Sequence, residues 1–273
     1  MRDILVFADN YTTWTRSMVY ASEFSVLVQG AMTAAFVAEP FVPMPSMAMP
    51  VFPEMYTYTA DLVRDARAAE PAFLAEAEKR GVTKARWLVI EGNVAPALAY
   101  ASNWHDLLVL ESGNRSAWRT PQMTGHVVLT CGIPVLVVPE SGQHNATLDT
   151  VVIAWNGSAE AIRALHASLP VLRLARKIVL LQGPRDDPFS SINCSPAFRV
   201  EEWLAWRRIP FETVPFAADD HRAGDELLRF ATQANADLLV MGAYGHTRFS
   251  EWVLGGATRQ ILEHADVPVF MQH

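Results

Sequence analysis

The chain is written twice. Residues 4–9 (ILVFAD) and 151–156 (VVIAWN) are both short apolar runs that end at a small polar residue. Each is followed by a helical stretch and a second apolar run, at 31–37 in the first half and 177–181 in the second. DLLV then occurs at 106–109 and again at 237–240, and both halves close on related runs, IPVLVV at 133–138 and VPVFM at 267–271. A repeat this long implies two copies of one domain, because solenoid repeats have periods of roughly 20–50 residues. Near-continuous apolar runs such as LLVM, VLVV and IVLL suit strands covered on both faces. Their alternation with helical stretches predicts parallel sheets with right-handed crossovers. The expected fold class is therefore α/β, two tandem open-sheet doubly wound domains. Their boundary is expected in the polar stretch 140–149, giving domains at 1–140 and 150–273.

Composition sets outer limits. Apolar residues make up 51% and charged ones 19%, as a packed globular core requires. A net charge of −7 argues against a non-specific nucleic-acid binder, which carries a basic surface. Cys131 and Cys194 form no CxxC pair, so neither a disulfide framework nor a zinc site is expected, and both fit reduced thiols of a cytoplasmic protein. The opening MRDILVFAD lacks a signal-peptide pattern, and no apolar stretch approaches the length of about 20 residues that a bilayer span needs.

Residues 237–258, DLLVMGAYGHTRFSEWVLGGAT, carry the clearest chemistry. A strand ending at Met241 runs into Gly242, Ala243, Tyr244 and Gly245. A polar loop with His246 and Arg248 follows, then Gly255, Gly256, Ala257 and Thr258 at the start of a helix. Glycine lets main-chain N–H groups approach an anion closely. A helix N-terminus adds orphan donors and a positive dipole end. Strand, glycine loop and helix start together make a phosphate cradle. The competing reading is a set of tight strand-to-helix turns. His246 and Arg248 either reach a phosphate or are simply solvated. No nucleophile elbow, Walker lysine, metal-ligand spacing or His/Cys pair is present, so no catalytic residue and no metal site is assigned.

With the spacing Gly-x2-Gly-x9-Gly on Gly242, Gly245 and Gly255, the chain resembles the universal stress protein family in its tandem two-domain form. The 151–155 strand with its Asn156-Gly157-Ser158 turn and the closing 266–269 DVPV strand support the likeness. The resemblance implies mostly parallel five-stranded sheets of the adenine nucleotide alpha hydrolase-like type, and ATP or AMP, with or without Mg²⁺, at the carboxyl ends of the strands. It also implies pairing through the last strand of each half, 133–138 against 267–271, as a pseudo-dimer within the chain or a homodimer. Carried over, the nucleotide site is Ala154, Trp155, Asn156, Met241, Gly242, Ala243, Tyr244, Gly245, His246, Gly255, Gly256, Ala257 and Thr258. Two departures stand out. Asn156 occupies the place of a usual Asp, where it hydrogen-bonds but offers no carboxylate. Gly256 replaces the Ser or Thr that follows the last motif glycine, leaving Thr258 as a substitute hydroxyl.

The first half has lost this pattern. Glu111 and Asn114 stand where the second half has Gly242 and Gly245, and Glu111 would repel a bound phosphate. Asp9 retains the position of a nucleotide-facing acid, or is a strand-end turn residue. Residues 39–55 (EPFVPMPSMAMPVFPEM) hold five prolines and four methionines, which excludes a regular helix or central strand there. That insert reads as a loop folded over its own domain, a lid or a partner-docking surface. Residues 183–196 (GPRDDPFSSINCSP) occupy the same place in the second half and are more polar. A helix over 61–80 is expected to break near Glu70 because of Pro71, with Leu62, Ala66, Ala69 and Phe73 on a core face. Trp203 and Trp206 are expected to pack. The chain is thus expected to be a cytoplasmic regulatory protein of stress response binding an adenine nucleotide in its second half. An interaction module that binds no nucleotide and recruits an unknown protein partner is the alternative, and a slow ATPase the third reading.

Overall fold

The structure is a computed structural model. It describes residues 1–40, 53–113, 119–142, 144–183, 199–217, 222–244 and 256–273, without the side chains of 53–56. The chain divides into two compact units, Met1–Val109 with Thr130–Ile133, and Leu110–Leu129 with Pro134–His273.

The first unit contains β1 (Asp3–Ala8), α1 (Arg16–Leu27), β2 (Ala31–Ala38), α2 (Pro53–Ala68), α3 (Glu70–Lys79), β3 (Ala85–Glu91), α4 (Val94–Ser102) and the start of β4 (Leu107–Ser112). Its strand order is β3-β2-β1-β4, parallel throughout. β1 is buried from Ile4 to Ala8 because helices cover both faces of a doubly wound sheet, which is why the run reads as continuous apolar residues. Thr15 caps α1, its side chain accepting from the Met18 amide at 3.3 Å. The break expected near Glu70 is present. α2 stops at Ala68, and α3 restarts with Pro71 in its first turn, where the missing N–H costs nothing. Ala66 and Phe73 face the core as expected, Leu62 and Ala69 less completely. The insert is corrected at one end: its last residues, 53–55, open α2, and Pro53 is accommodated because it stands first. Its remainder, 41–52, lies outside the described residues.

The second unit contains α5 (Pro121–Thr130), β5 (Val135–Pro139), β6 (Thr150–Trp155), α6 (Ala159–Leu172), β7 (Lys177–Gln182), α7 (Val200–Trp206), β8 (Glu212–Pro215), α8 (Ala223–Gln233), β9 (Leu238–Gly242), α9 (Gly256–His264) and β10 (Val269–Gln272). Strands run in the order β5-β10-β9-β6-β7-β8. From β10 to β8 the pairing is parallel, so the second copy is the expected five-stranded open sheet. β5 and β10 pair antiparallel, Val137 opposite Val269, Leu136 opposite Phe270 and Val135 opposite Met271, which is the juxtaposition of last strands that the resemblance implies. Leu136, Phe270 and Met271 are fully buried.

The tryptophans of α7 separate. Trp203 packs, its ring 4.7 Å from that of His166 and 3.7 Å from the Arg207 guanidinium. Trp206 does not pack as expected: it is 75% exposed. α7 is short and turns Val200 and Leu204 inward, and Trp206, two positions past Leu204, falls on the opposite side.

Candidate functional site

In the second copy the chain runs β6, β7, β8 outward in one direction, then returns to lay β9 and β10 on the other side of β6. The order therefore reverses between β6 and β9. Open α/β sheets bind ligands at such a reversal, outside the carboxyl ends of the strands. β6 and β9 are paired there, Val151 opposite Leu238 through Ile153 opposite Val240. The strand ends bring Ala154, Trp155 and Asn156 beside Met241, Gly242, Ala243 and Tyr244. Gly256, Ala257 and Thr258 form the first turn of α9. Gly245, His246, Arg248 and Gly255 lie outside the described residues.

The turn after β6 is built to launch α6. Asn156 Oδ1 accepts from the Ser158 amide at 3.1 Å, Gly157 takes φ +82°, and Ser158 Oγ accepts from the Ala161 amide at 3.2 Å. Asn156 thus acts as a turn residue through its oxygen, while its amide NH₂ can serve a ligand. Gly242 packs directly on this helix start. A Cβ there would lie 2.5 Å from Ala161 N and 2.6 Å from the carbonyl carbon of Glu160, so glycine is required by helix–strand packing. Glu160, in the same turn, is paired with Arg163 at 2.7 Å, which offsets a carboxylate close to the strand ends.

The loop after β9 spends two amides internally. Ala243 N donates to Gln272 O at 2.9 Å, and Tyr244 N donates to Thr258 Oγ1 at 3.2 Å. Thr258 is 4% exposed, so its hydroxyl ties the β9 loop to α9 and does not face solvent as a substitute phosphate donor. Among the described residues, the first turn of α9 adds orphan amides at this end, where Gly256 is exposed and a Cβ would meet nothing within 4 Å.

Tyr244 gave no signal in the sequence beyond its place in the motif. It holds φ +67°, and its ring is buried edge-on to His273 at 6.1 Å. Of the other non-glycine residues at positive φ, Gln29, Arg208 and Asn235, each directly follows a helix C-cap. Tyr244 Oη is buried without a hydrogen-bond partner among the described residues, and burial drives its pKa upward. Backbone strain and an orphaned hydroxyl coincide at the strand end, as they do where structure is held for function.

The corresponding end of β4 carries acidic side chains in place of a glycine loop. Glu111 is buried and paired with Arg119, so the lone negative charge expected there is neutralised. The Gly113 amide donates to Arg119 O at 2.9 Å, and the Glu140 carboxylate lies over Gly113, where a Cβ would meet Oε2 at 2.1 Å. A cavity of about 300 Å³ remains beside this end, lined by Ser112, Gly113, Glu140 and Glu263 among others, and its charged lining is acidic, which repels an anion. Among the described residues no group of three or more His, Cys, Asp or Glu is placed to hold a metal ion, and no helix is long and apolar enough to cross a membrane.

A family model described as the universal stress protein family matches residues 147–273. The universal stress protein Slr1230 of Synechocystis sp. is 30% identical over 139 residues, which are 50% of this chain and 45% of that protein. The chain's match thus spans about half the length of that relative. A universal stress protein from Archaeoglobus fulgidus superposes with a TM-score of 0.69 at 16% identity, covering 98% of this chain and 95% of that one. A functionally unknown protein from Pseudomonas aeruginosa PAO1 gives 0.61 at 13% identity, covering 98% and 91%. These two likenesses are of fold.

Proposed function

We propose that this chain, whose residues 147–273 belong to the universal stress protein family, is a regulatory protein that binds an adenine nucleotide in its second copy, at the reversal between β6 and β9. The observation that carries the reading is the convergence of the β6 turn, the β9 strand end and the α9 N-terminus at one point of the sheet. Base and ribose sit against Ala154–Asn156 and the β9 loop, with the Asn156 amide as donor. The phosphates sit at the first turn of α9. With no general base assigned, the bound nucleotide is held and not rapidly hydrolysed. Binding then acts by stabilising the β9–α9 connection.

The test is mass spectrometry of the denatured purified protein for co-purified ATP or AMP, followed by thermal unfolding with added nucleotide and Mg²⁺. Bound nucleotide and a rise in melting temperature support the reading. No bound nucleotide and no shift at millimolar ATP would favour the second reading, an interaction module. The internal use of the Ala243 and Tyr244 amides favours that alternative.

A further inference from the structure

The first unit holds a cavity that the nucleotide reading does not use. It has a volume of about 270 Å³ and lies between the loop after β1, helix α3 and the edge strand β3. Its lining takes in the loop after β1 and Trp87 of β3, and no residue of β4. Trp14, Phe73 and Trp87 form its aromatic wall. Trp14 stacks on Phe73 with centroids 5.3 Å apart and planes 16° from parallel, and Phe73 meets Trp87 at 5.2 Å. Phe73 and Trp87 are buried, and the Trp87 indole N–H is committed to Ala66 O at 2.8 Å, so this wall is fixed. Trp14 is only partly covered. Ala69 and Ala72 supply a floor without bulk, and Asn10, Thr12 and Thr13 supply a polar lip. The lip is organised by Asn10 Oδ1, which accepts from the amides of Thr12 at 3.2 Å and Thr13 at 2.9 Å.

The charged groups here are one carboxylate that lines the cavity, Glu76, and two cations that pair with it from outside the lining, Lys79 and Arg80. Glu76 lines the cavity but is paired twice, with Arg80 at 2.9 Å and Lys79 at 3.6 Å. Two cations share one carboxylate. Arg80 gives its Nε to Glu76, and its guanidinium carbon stands 5.0 Å from the centroid of the Trp14 ring. Its Nη groups have no acceptor among the described residues. The first turn of α1, whose N-terminus abuts this loop, carries no acidic residue, so its dipole adds a positive end here. Apolar clefts with a few convergent polar groups are the usual form of small-molecule sites.

We infer that this cavity is a binding site for a small planar aromatic carboxylate. The ring lies at the edge of Trp14 and over Ala72, and the carboxylate accepts from the free Nη groups of Arg80, with the Thr12 hydroxyl as a second donor. The volume of about 270 Å³ admits one ring or a fused pair with its acid group.

The experiment is titration of the full chain with indole-3-acetate, benzoate, indole and tryptamine, followed by calorimetry and tryptophan fluorescence, with and without saturating ATP. The acids bind and perturb fluorescence, the neutral and cationic analogues bind at least about tenfold more weakly, and ATP does not compete. Ala72→Leu, an exposed helical position that tolerates leucine, fills the cavity and abolishes binding. Arg80→Gln weakens the acids about tenfold and leaves indole unchanged. Absence of binding by either acid, equal binding of indole and indole-3-acetate, binding unaffected by Ala72→Leu, or displacement by ATP would each overturn the inference. The last result would place the aromatic acid in a nucleotide site instead.

Discussion

Gly242 owes its identity to a neighbour in space and not to its own backbone angles. A methyl group there would overlap main-chain atoms of α6 that cannot move aside. Gly242→Ala is therefore expected to cost about 1–3 kcal/mol in urea unfolding, an overpacking penalty, whether or not nucleotide is present. The motif spacing marks the position in sequence, but the demand comes from Ala161 and Glu160, some eighty residues earlier in the chain, which no local pattern reveals. Tyr244 is the same case: neither its left-handed φ nor its buried hydroxyl is legible in GAYG. Asn156 was readable both as a turn residue and as a ligand donor, and its two side-chain ends allow both. Cys131 gives a residue-scale prediction in pH. Burial raises its thiol to about 11 from 9.0, partly offset by a hydrogen bond with Ser102. A raised native pKa means the stability is intact below pH 9.0 and declines as pH climbs toward 11, because the unfolded chain ionises first. The wild type should lose about 2 kcal/mol more over that interval than Cys131→Ala, measured by denaturation at each pH. An equal loss in both would show the thiol is not the cause.

At the scale of elements, α6 is the piece on which the site depends, since its start packs on the end of β9 and follows the turn bearing Asn156. Its N-cap is a single hydroxyl. Ser158→Ala removes the acceptor for the Ala161 amide and should destabilise the second unit by about 1 kcal/mol. Nucleotide affinity should fall with it, and Ser158→Asp, which caps as well, should restore both in parallel thermal-shift measurements. Helix starts and strand runs were readable because their signals are local: a cap residue before α6, a proline opening α3, unbroken apolar runs for β1, β6 and β9. Trp206 was misread because spacing alone does not say which face of a short helix meets the protein. The end of β4 was half-read. Glu111 was legible as a misplaced charge, while its partner Arg119 and the intrusion of Glu140 depend on how loops fold back.

Across the whole molecule, the repeat made the two α/β copies legible, because duplicated hydrophobic patterns impose duplicated topology, while the meeting of last strands was legible only through the family resemblance. The β5–β10 pair gives a prediction at this scale. A chain shortened to residues 144–273 loses β5 and exposes Val269–Gln272 as an unpaired edge. It should self-associate through that edge in sedimentation velocity, and Phe270→Lys should abolish the association. A shortened chain that stays monomeric would contradict this. The two copies have diverged at their strand reversals, with acidic side chains lining the end of β4 and a turn, a strand end and a helix N-terminus meeting at the second. The most direct test is hydrogen-exchange mass spectrometry of the full chain with and without saturating ATP. Slowed exchange concentrated in residues 154–158 and the first turn of α9, with no change at 111–113, is the predicted result. Unchanged exchange at those segments, or protection confined to the first copy, would contradict a nucleotide site at the end of β6 and β9.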